Sequence, residues 1–208
     1  MTSGIVHERS GGPYDQRLAR WLVRPLAAAG VHPNAVTGVS FLFGMAAALL
    51  FAFHVEAMAG WAALLFMLAV LTDHGDGELA RMTDRTSHLG HRLDYLVGTT
   101  NYAMLFIGIG IGLGGAGWGG PAVAFGLAVG LANPIICALR MVMDDRYGGE
   151  AVSHPRFGGF ELEDFIYLIG PITWLGGLEY FFLLYGGGTL GYLIFTVVAF
   201  LRRRHSHG

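Results

Sequence analysis

Asp73, Asp76 and Asp94 are the side chains in this sequence best placed to do chemistry. Asp73 and Asp76 stand three residues apart, the spacing that puts two side chains on one face of a helix, and Gly77 and Ala80 follow with little bulk. Asp94 opens the next apolar run after a short polar turn, so it can face the first pair at the same depth. A carboxylate in a membrane helix costs roughly 2.5–3.5 kcal/mol at the centre and less near the ends, so these three need partners. Three carboxylates converging beside small residues make a hard-oxygen site suited to Mg²⁺ or Mn²⁺, with a phosphate-bearing ligand completing the shell. The small residues leave room for a nucleotide against the backbone. His74, between the two aspartates, points about 100° off their face and is placed to support rather than to ligate.

The elements that must position these residues are membrane helices. Of 208 residues, 53% are hydrophobic and 13% charged, with a mean hydropathy of +0.51, against a charged fraction of about 25% in soluble proteins. Disorder, coiled coils, collagen and disulfide scaffolds do not tolerate this mixture. A compact soluble domain would need far more polar surface. The single cysteine, Cys137, cannot form an internal disulfide or a thiolate cluster. The composition predicts an all-α integral membrane protein of one domain, residues 1–208, with six transmembrane helices preceded by an amphipathic interfacial helix over 13–29. The spans fall near 34–54, 57–80, 89–113, 119–143, 161–184 and 188–204, with Gly114–Pro121 and the glycines after Tyr185 separating neighbours. In the interfacial helix, Leu18, Trp21, Leu22 and Leu26 recur at helical spacing against Arg17, Arg20 and Arg24.

Residues 1–12 are polar and Gly-rich, with no apolar segment behind a basic start, and predict no cleavable signal peptide. All 13 basic residues are arginines, and with six spans every one falls on the side that carries both termini. That side is predicted to be cytoplasmic, in a bacterial inner (plasma) membrane, and the carboxylates lie at the same face. The formal net charge of −2 conceals this sorting. Gly108, Gly110, Gly112 and Gly114, then Gly126 and Gly130, let helix backbones approach closely. The spacing fits packing within one chain and fits a dimer seam.

The stretch Asp73-x-x-Asp76-Gly77-x-x-Ala80-Arg81, eight residues, then Gly90-x-x-x-Asp94, resembles the signature of the CDP-alcohol phosphatidyltransferases. Pro33-Asn34-x-x-Thr37 resembles that family's usual lead-in to the first span. The resemblance implies a membrane transferase in which Asp73, Asp76 and Asp94 hold a divalent metal, Mg²⁺ or Mn²⁺, on the donor diphosphate. Gly77, Ala80, Arg81 and Gly90 would bind the cytidine diphosphate part of the substrate. An acceptor hydroxyl would attack the phosphate that carries the donor alcohol, and CMP would leave. The implied partners are a CDP-alcohol donor such as CDP-diacylglycerol, an alcohol or anionic acceptor, membrane lipids and a second copy of the chain in a homodimer, with no nucleic acid. The competing reading is a transporter or ion-binding membrane protein. Against it, the carboxylates cluster at one face rather than at the midplane, and no internal repeat is evident.

One signature position departs from the pattern. Four residues after Asp94, where the family carries a further aspartate, stands Gly98. His91, one turn before Asp94, could act as base or replacement ligand; in isolation it reads as an interfacial histidine. Alternatively the acceptor is already ionised and needs no base, or activity is lost, or Glu78 or His88 serves. Arg140 and Arg146, with Asp144, Asp145, His154 and Arg156, could bind an anionic acceptor, and equally could be flanking charges. Glu161, Glu163 and Asp164 suit the N-terminus of the fifth span.

Overall fold

The structure, a computed structural model, describes residues 14–147, 156–157 and 160–206. Helix α1 (Tyr14–Ala28) is followed by a turn at Gly30, φ +71°, and then by α2 (Pro33–Met82). Pro33 at the first helical position and His32 Nδ1, which accepts from Asn34 N at 3.2 Å, start α2. As a straight rod α2 would be about 75 Å long. Instead Ser40 Oγ donates to Ala69 O at 2.9 Å, and Thr37 Oγ1 to the Asp76 carboxylate. Contacts across such sequence separations require the chain to reverse near 54–56, so α2 is a hairpin with limbs Pro33–Phe53 and Ala57–Met82.

The second limb ends in a tight loop at 83–87, where Asp84 adopts φ 52°, a left-handed conformation that aspartate tolerates. Ser87 Oγ then accepts from Gly90 N at 2.9 Å and caps α3 (His88–Leu113). A wide turn at Gly114–Trp118, with φ 107° at Gly117 and 65° at Gly119, leads into α4 (Gly119–Tyr147). Beyond it, Arg156–Phe157 pairs antiparallel with Phe160–Glu161, and a 3₁₀ segment, Leu162–Leu168, runs into α5 (Ile169–Trp174) and α6 (Leu178–Ser206).

The chain is thus a helical bundle. Among the described residues four stretches are long and apolar enough to cross a membrane: Pro33–Phe53, Ala57–Met82, His88–Met143 and Leu178–Arg204. The third of these folds back on itself at Gly114–Trp118, since a Cβ on Gly110 would lie 3.0 Å from Gly126 Cα. The sequence predicts a last helix boundary at 185–188; the structure has it at 175–177. Gly176 takes φ +78° there, while α6 runs unbroken through Gly186–Gly188. Gly186 instead serves packing: a Cβ on it would come within 2.7 Å of the Phe125 ring. Phe165–Trp174 is a shorter apolar helix of ten residues rather than part of a span over 161–184.

In lipid, close packing rather than expulsion of water holds helices together. A Cβ on Gly108 or Gly112 would collide with the carbonyl of Ala48 or Phe51, so α3 lies backbone to backbone on the first limb of α2. Gly110, Gly126 and Gly130 do the same between α3 and α4. These glycines are spent within one chain. Phe51, Phe66, Leu105, Ile109 and Phe182 fill the core, and Phe106 stacks against both Phe181 and Tyr185 at ring distances of 6.3 and 5.8 Å. Phe53, Trp61, Leu131, Leu184 and Ile194 point outward, as membrane-facing side chains do.

Gly108→Val should therefore cost about 1–3 kcal/mol through overpacking. At about 2–4 °C per kcal/mol, this lowers the thermal unfolding temperature of the purified chain in detergent. Gly115→Ala, where a Cβ meets nothing within 4 Å, should leave that temperature unchanged.

Candidate active site

The second limb of α2 supplies Asp73 and Asp76, and α3 supplies Asp94, one loop later. Each offers a carboxylate oxygen, and these oxygens lie within 4.8 Å of one another. Hydroxyls of the first limb reach across to them. Thr37 Oγ1 donates to Asp76 Oδ2, and Ser40 Oγ lies 3.4 Å from Asp73 Oδ1. Asn101, on α3 and 3% exposed, donates from Nδ2 to Ser40 O and Oγ, both at 3.2 Å. Gly44 makes the space for that amide, since any Cβ there would overlap it.

Asp76 is 3% exposed, and its Oδ1 is buried with no hydrogen-bond partner among the described residues. A buried carboxylate oxygen left unpaired is costly. The neighbouring Arg81 guanidinium bonds Glu78 Oε1 at 2.7 Å rather than this oxygen. A hard divalent cation is the chemistry that this donor set fits, since carboxylate oxygens are the ligands Mg²⁺ and Mn²⁺ prefer.

The two aspartates nearer the loop open onto a cleft of about 310 Å³. Pro33, Asn34 and Thr37 form one wall, and Gly77, Ala80 and Arg81 another. The loop residues Arg85, Thr86 and Ser87 and the α3 residues Gly90 and His91 close it, with Asp76 and Asp94 at its carboxylate end. Two arginines, several hydroxyls and two carboxylates of the triad in one cleft suit a diphosphate carried with a divalent cation. Gly90 lets the Ser87 cap sit close, because a Cβ there would lie 3.0 Å from Ser87 Oγ.

Of the residues singled out in the sequence, Asp76, Gly77, Ala80, Arg81, Gly90, His91 and Asp94 line the cleft, and Asp73 completes the triad beside it. Arg140 and Arg146 do not line it. Arg140 donates to the Tyr192 hydroxyl at 2.9 Å on α6, and Arg146 is exposed in the last turn of α4. His154, and the side chains of Asp144, Asp145, Arg156, Glu161, Glu163 and Asp164, lie outside the described residues. His74 turns to Tyr167, with Nδ1 and the hydroxyl 3.2 Å apart, which fits support rather than ligation.

Gly98 abuts Asp73: a Cβ there would be 3.2 Å from Oδ2. His91 stands seven residues earlier on α3, about 10 Å along the axis, so it cannot fill the space beside Asp73. It can act only on a group in the cleft. Sequence reasoning did not assign Ser40 or Asn101, nor Thr37 a role at the carboxylates. The available signal was polar side chains at 37, 40 and 101 inside otherwise apolar runs, where each needs a partner.

The family model for CDP-alcohol phosphatidyltransferase matches residues 30–202. No curated protein matches the chain. The match spans most of the 208 residues, and the chain belongs to the CDP-alcohol phosphatidyltransferase family.

Thr37→Val keeps the shape of the first limb but removes the donor to Asp76. A hydrogen bond to a charged group contributes about 1.5–3 kcal/mol, so Mn²⁺ binding should weaken by about tenfold or more in a direct titration. Thr37→Ser should bind like the unmodified chain.

Proposed function

We propose that this family member is an integral membrane transferase that moves a substituted phosphate from a CDP-alcohol to an acceptor oxygen and releases CMP. The observation that carries the reading is the buried, unpaired Oδ1 of Asp76 within a carboxylate triad at the end of an arginine-bordered cleft. Bound there by Asp73, Asp76 and Asp94, Mg²⁺ or Mn²⁺ would neutralise charge on the donor diphosphate and on the CMP that leaves.

Arg81 and Arg85 would hold phosphate oxygens, and Gly77 and Ala80 would admit the cytidine closely. The acceptor oxygen forms a bond to the phosphorus that carries the donor alcohol. The phosphoanhydride bond to the CMP phosphate breaks, and CMP departs with the electron pair. A hydroxyl acceptor also loses a proton, and the residue proposed to take it is His91, which faces the cleft. Gly98 supports a second reading: a member altered at the acceptor side, which binds the donor and uses an acceptor already ionised, or no acceptor at all.

The proposed topology has six crossings, with α3 and α4 as separate spans, α5 with its 3₁₀ lead-in as a short fifth, and α1 lying at the membrane surface. Positive-inside sorting of the arginines supports a cytoplasmic site and termini, in a bacterial inner membrane. The proposed partners are a CDP-alcohol such as CDP-diacylglycerol, an alcohol or anionic acceptor of phospholipid synthesis, bilayer lipids and a second copy of the chain.

Purified chain in micelles containing CDP-diacylglycerol and a panel of alcohol and phosphate acceptors should release CMP with Mg²⁺ or Mn²⁺ and stop on chelation. Asp76→Asn should lower the rate about a hundredfold or more. Failure of every CDP-alcohol to bind or turn over, together with cation flux in vesicles, would establish the transporter reading instead. With a hydroxyl acceptor, His91→Ala should slow release by about 10² or more; an unchanged rate would remove His91 as the base. Gly98→Asp, which crowds Asp73, distinguishes a site that gains from a further carboxylate from one built to work without it.

A further inference from the structure

We propose that Val23 of α1 is a positioning residue for the Asp73–Asp76 pair, acting through Gly75. This rests on the metal-site reading above. Gly75 lies between the two aspartates in sequence, about 200° around the helix from Asp73 at 3.6 residues per turn. It therefore faces away from the carboxylate side. Gly75 is buried, and a Cβ there would come within 3.0 Å of Val23 Cγ1. Val23, 4% exposed, packs in one cluster with Val36 and Leu79.

This cluster touches both halves of the site. Leu79 belongs to the helical turn that follows Asp76, and Val36 precedes Thr37, the donor to Asp76. The ligand-bearing turn is consequently held between α1 behind and α3 in front, where Asp94 and Gly98 stand. Gly75 brings Val23 into contact with the backbone of that turn, with no intervening side chain to adjust. A close-packed contact of this kind transmits a displacement instead of absorbing it. Trp21, Leu22 and Arg24 on either side of Val23 are exposed, so among the described side chains of α1 Val23 is the buried one, with Leu26 and Ala27 packed at the margin. Arg85 Nη1 donates to Gly30 O at 3.2 Å and fixes the end of the same segment to the cleft wall.

The test is a size exchange, read by Mn²⁺ titration of the full chain in detergent with free ion measured by electron paramagnetic resonance. Val23→Ala loosens the seat and Gly75→Ala crowds it. Each should weaken Mn²⁺ binding about three- to tenfold, less than the roughly 10–100-fold of groups bonded directly to ligands. Carrying both changes, the methyl at 75 occupies space vacated at 23, and binding should return to within about twofold of the unmodified chain. In CMP release, the single changes should raise the half-saturating metal concentration and leave kcat at saturating metal unchanged. A merely structural contact would lower the unfolding temperature without this loss and recovery. Unchanged Mn²⁺ binding in both single variants, or a double variant no better than the weaker single, overturns the inference. Equal Mn²⁺ binding by the unmodified chain and Asp76→Asn overturns the metal-site reading, and the inference with it.

Discussion

Three carboxylates whose oxygens approach within 4.8 Å must be held together inside an apolar helical bundle against their own repulsion. At that separation each charged pair repels by roughly 3 kcal/mol even at an effective dielectric near 20. The neighbouring architecture addresses this constraint. Thr37 and Ser40 direct hydroxyls at the carboxylates from the first limb of α2, and Asn101 fixes Ser40 in turn. Arg81, the nearest arginine in the signature, makes its ion pair with Glu78, three residues earlier on the same helix.

Bringing polar groups from three helical limbs together demands helices that nearly touch. The glycines meet that demand where a methyl group would fail: Gly108 and Gly112 against the carbonyls of Ala48 and Phe51, Gly44 around the Asn101 amide. The same close approach that packs the bundle also sets the register in which Ser40 meets Asp73 and Asn101. Packing and site geometry are one arrangement here, because α3 cannot withdraw from α2 without separating Asp94 from its partners.

The carboxylates and the cleft residues Gly77, Ala80, Arg81 and Gly90 were legible in the sequence because they lie close together along it and carry an unusual cost in an apolar chain. The limbs of both hairpins were legible as long, mainly apolar runs, broken near 54–56 and at the glycines of 114–118. Ser40 and Asn101 were not, since their partnership joins positions 61 apart and depends on which faces of α2 and α3 meet. The last boundary was misplaced because three consecutive glycines at 186–188 look like a helix end. A glycine in lipid can instead remain helical and admit a neighbour, as Gly186 admits Phe125, while Gly176 takes the left-handed turn. Arg140 reads equally as an acceptor contact or a flanking charge; its bond to Tyr192 joins positions more than fifty residues apart and has no signal in the sequence.

The hairpin of α2 bears on how such a chain is made. Its two limbs contain Asp73 and Asp76 together with the hydroxyls that meet them, Thr37 and Ser40. During synthesis, which proceeds from the N-terminus, this half of the site can form before α3 has left the ribosome. The aspartates need not enter the bilayer unescorted, because their hydrogen-bond donors precede them into it. Asp94 arrives afterwards and closes the triad, so the full concentration of negative charge exists only in a nearly assembled bundle.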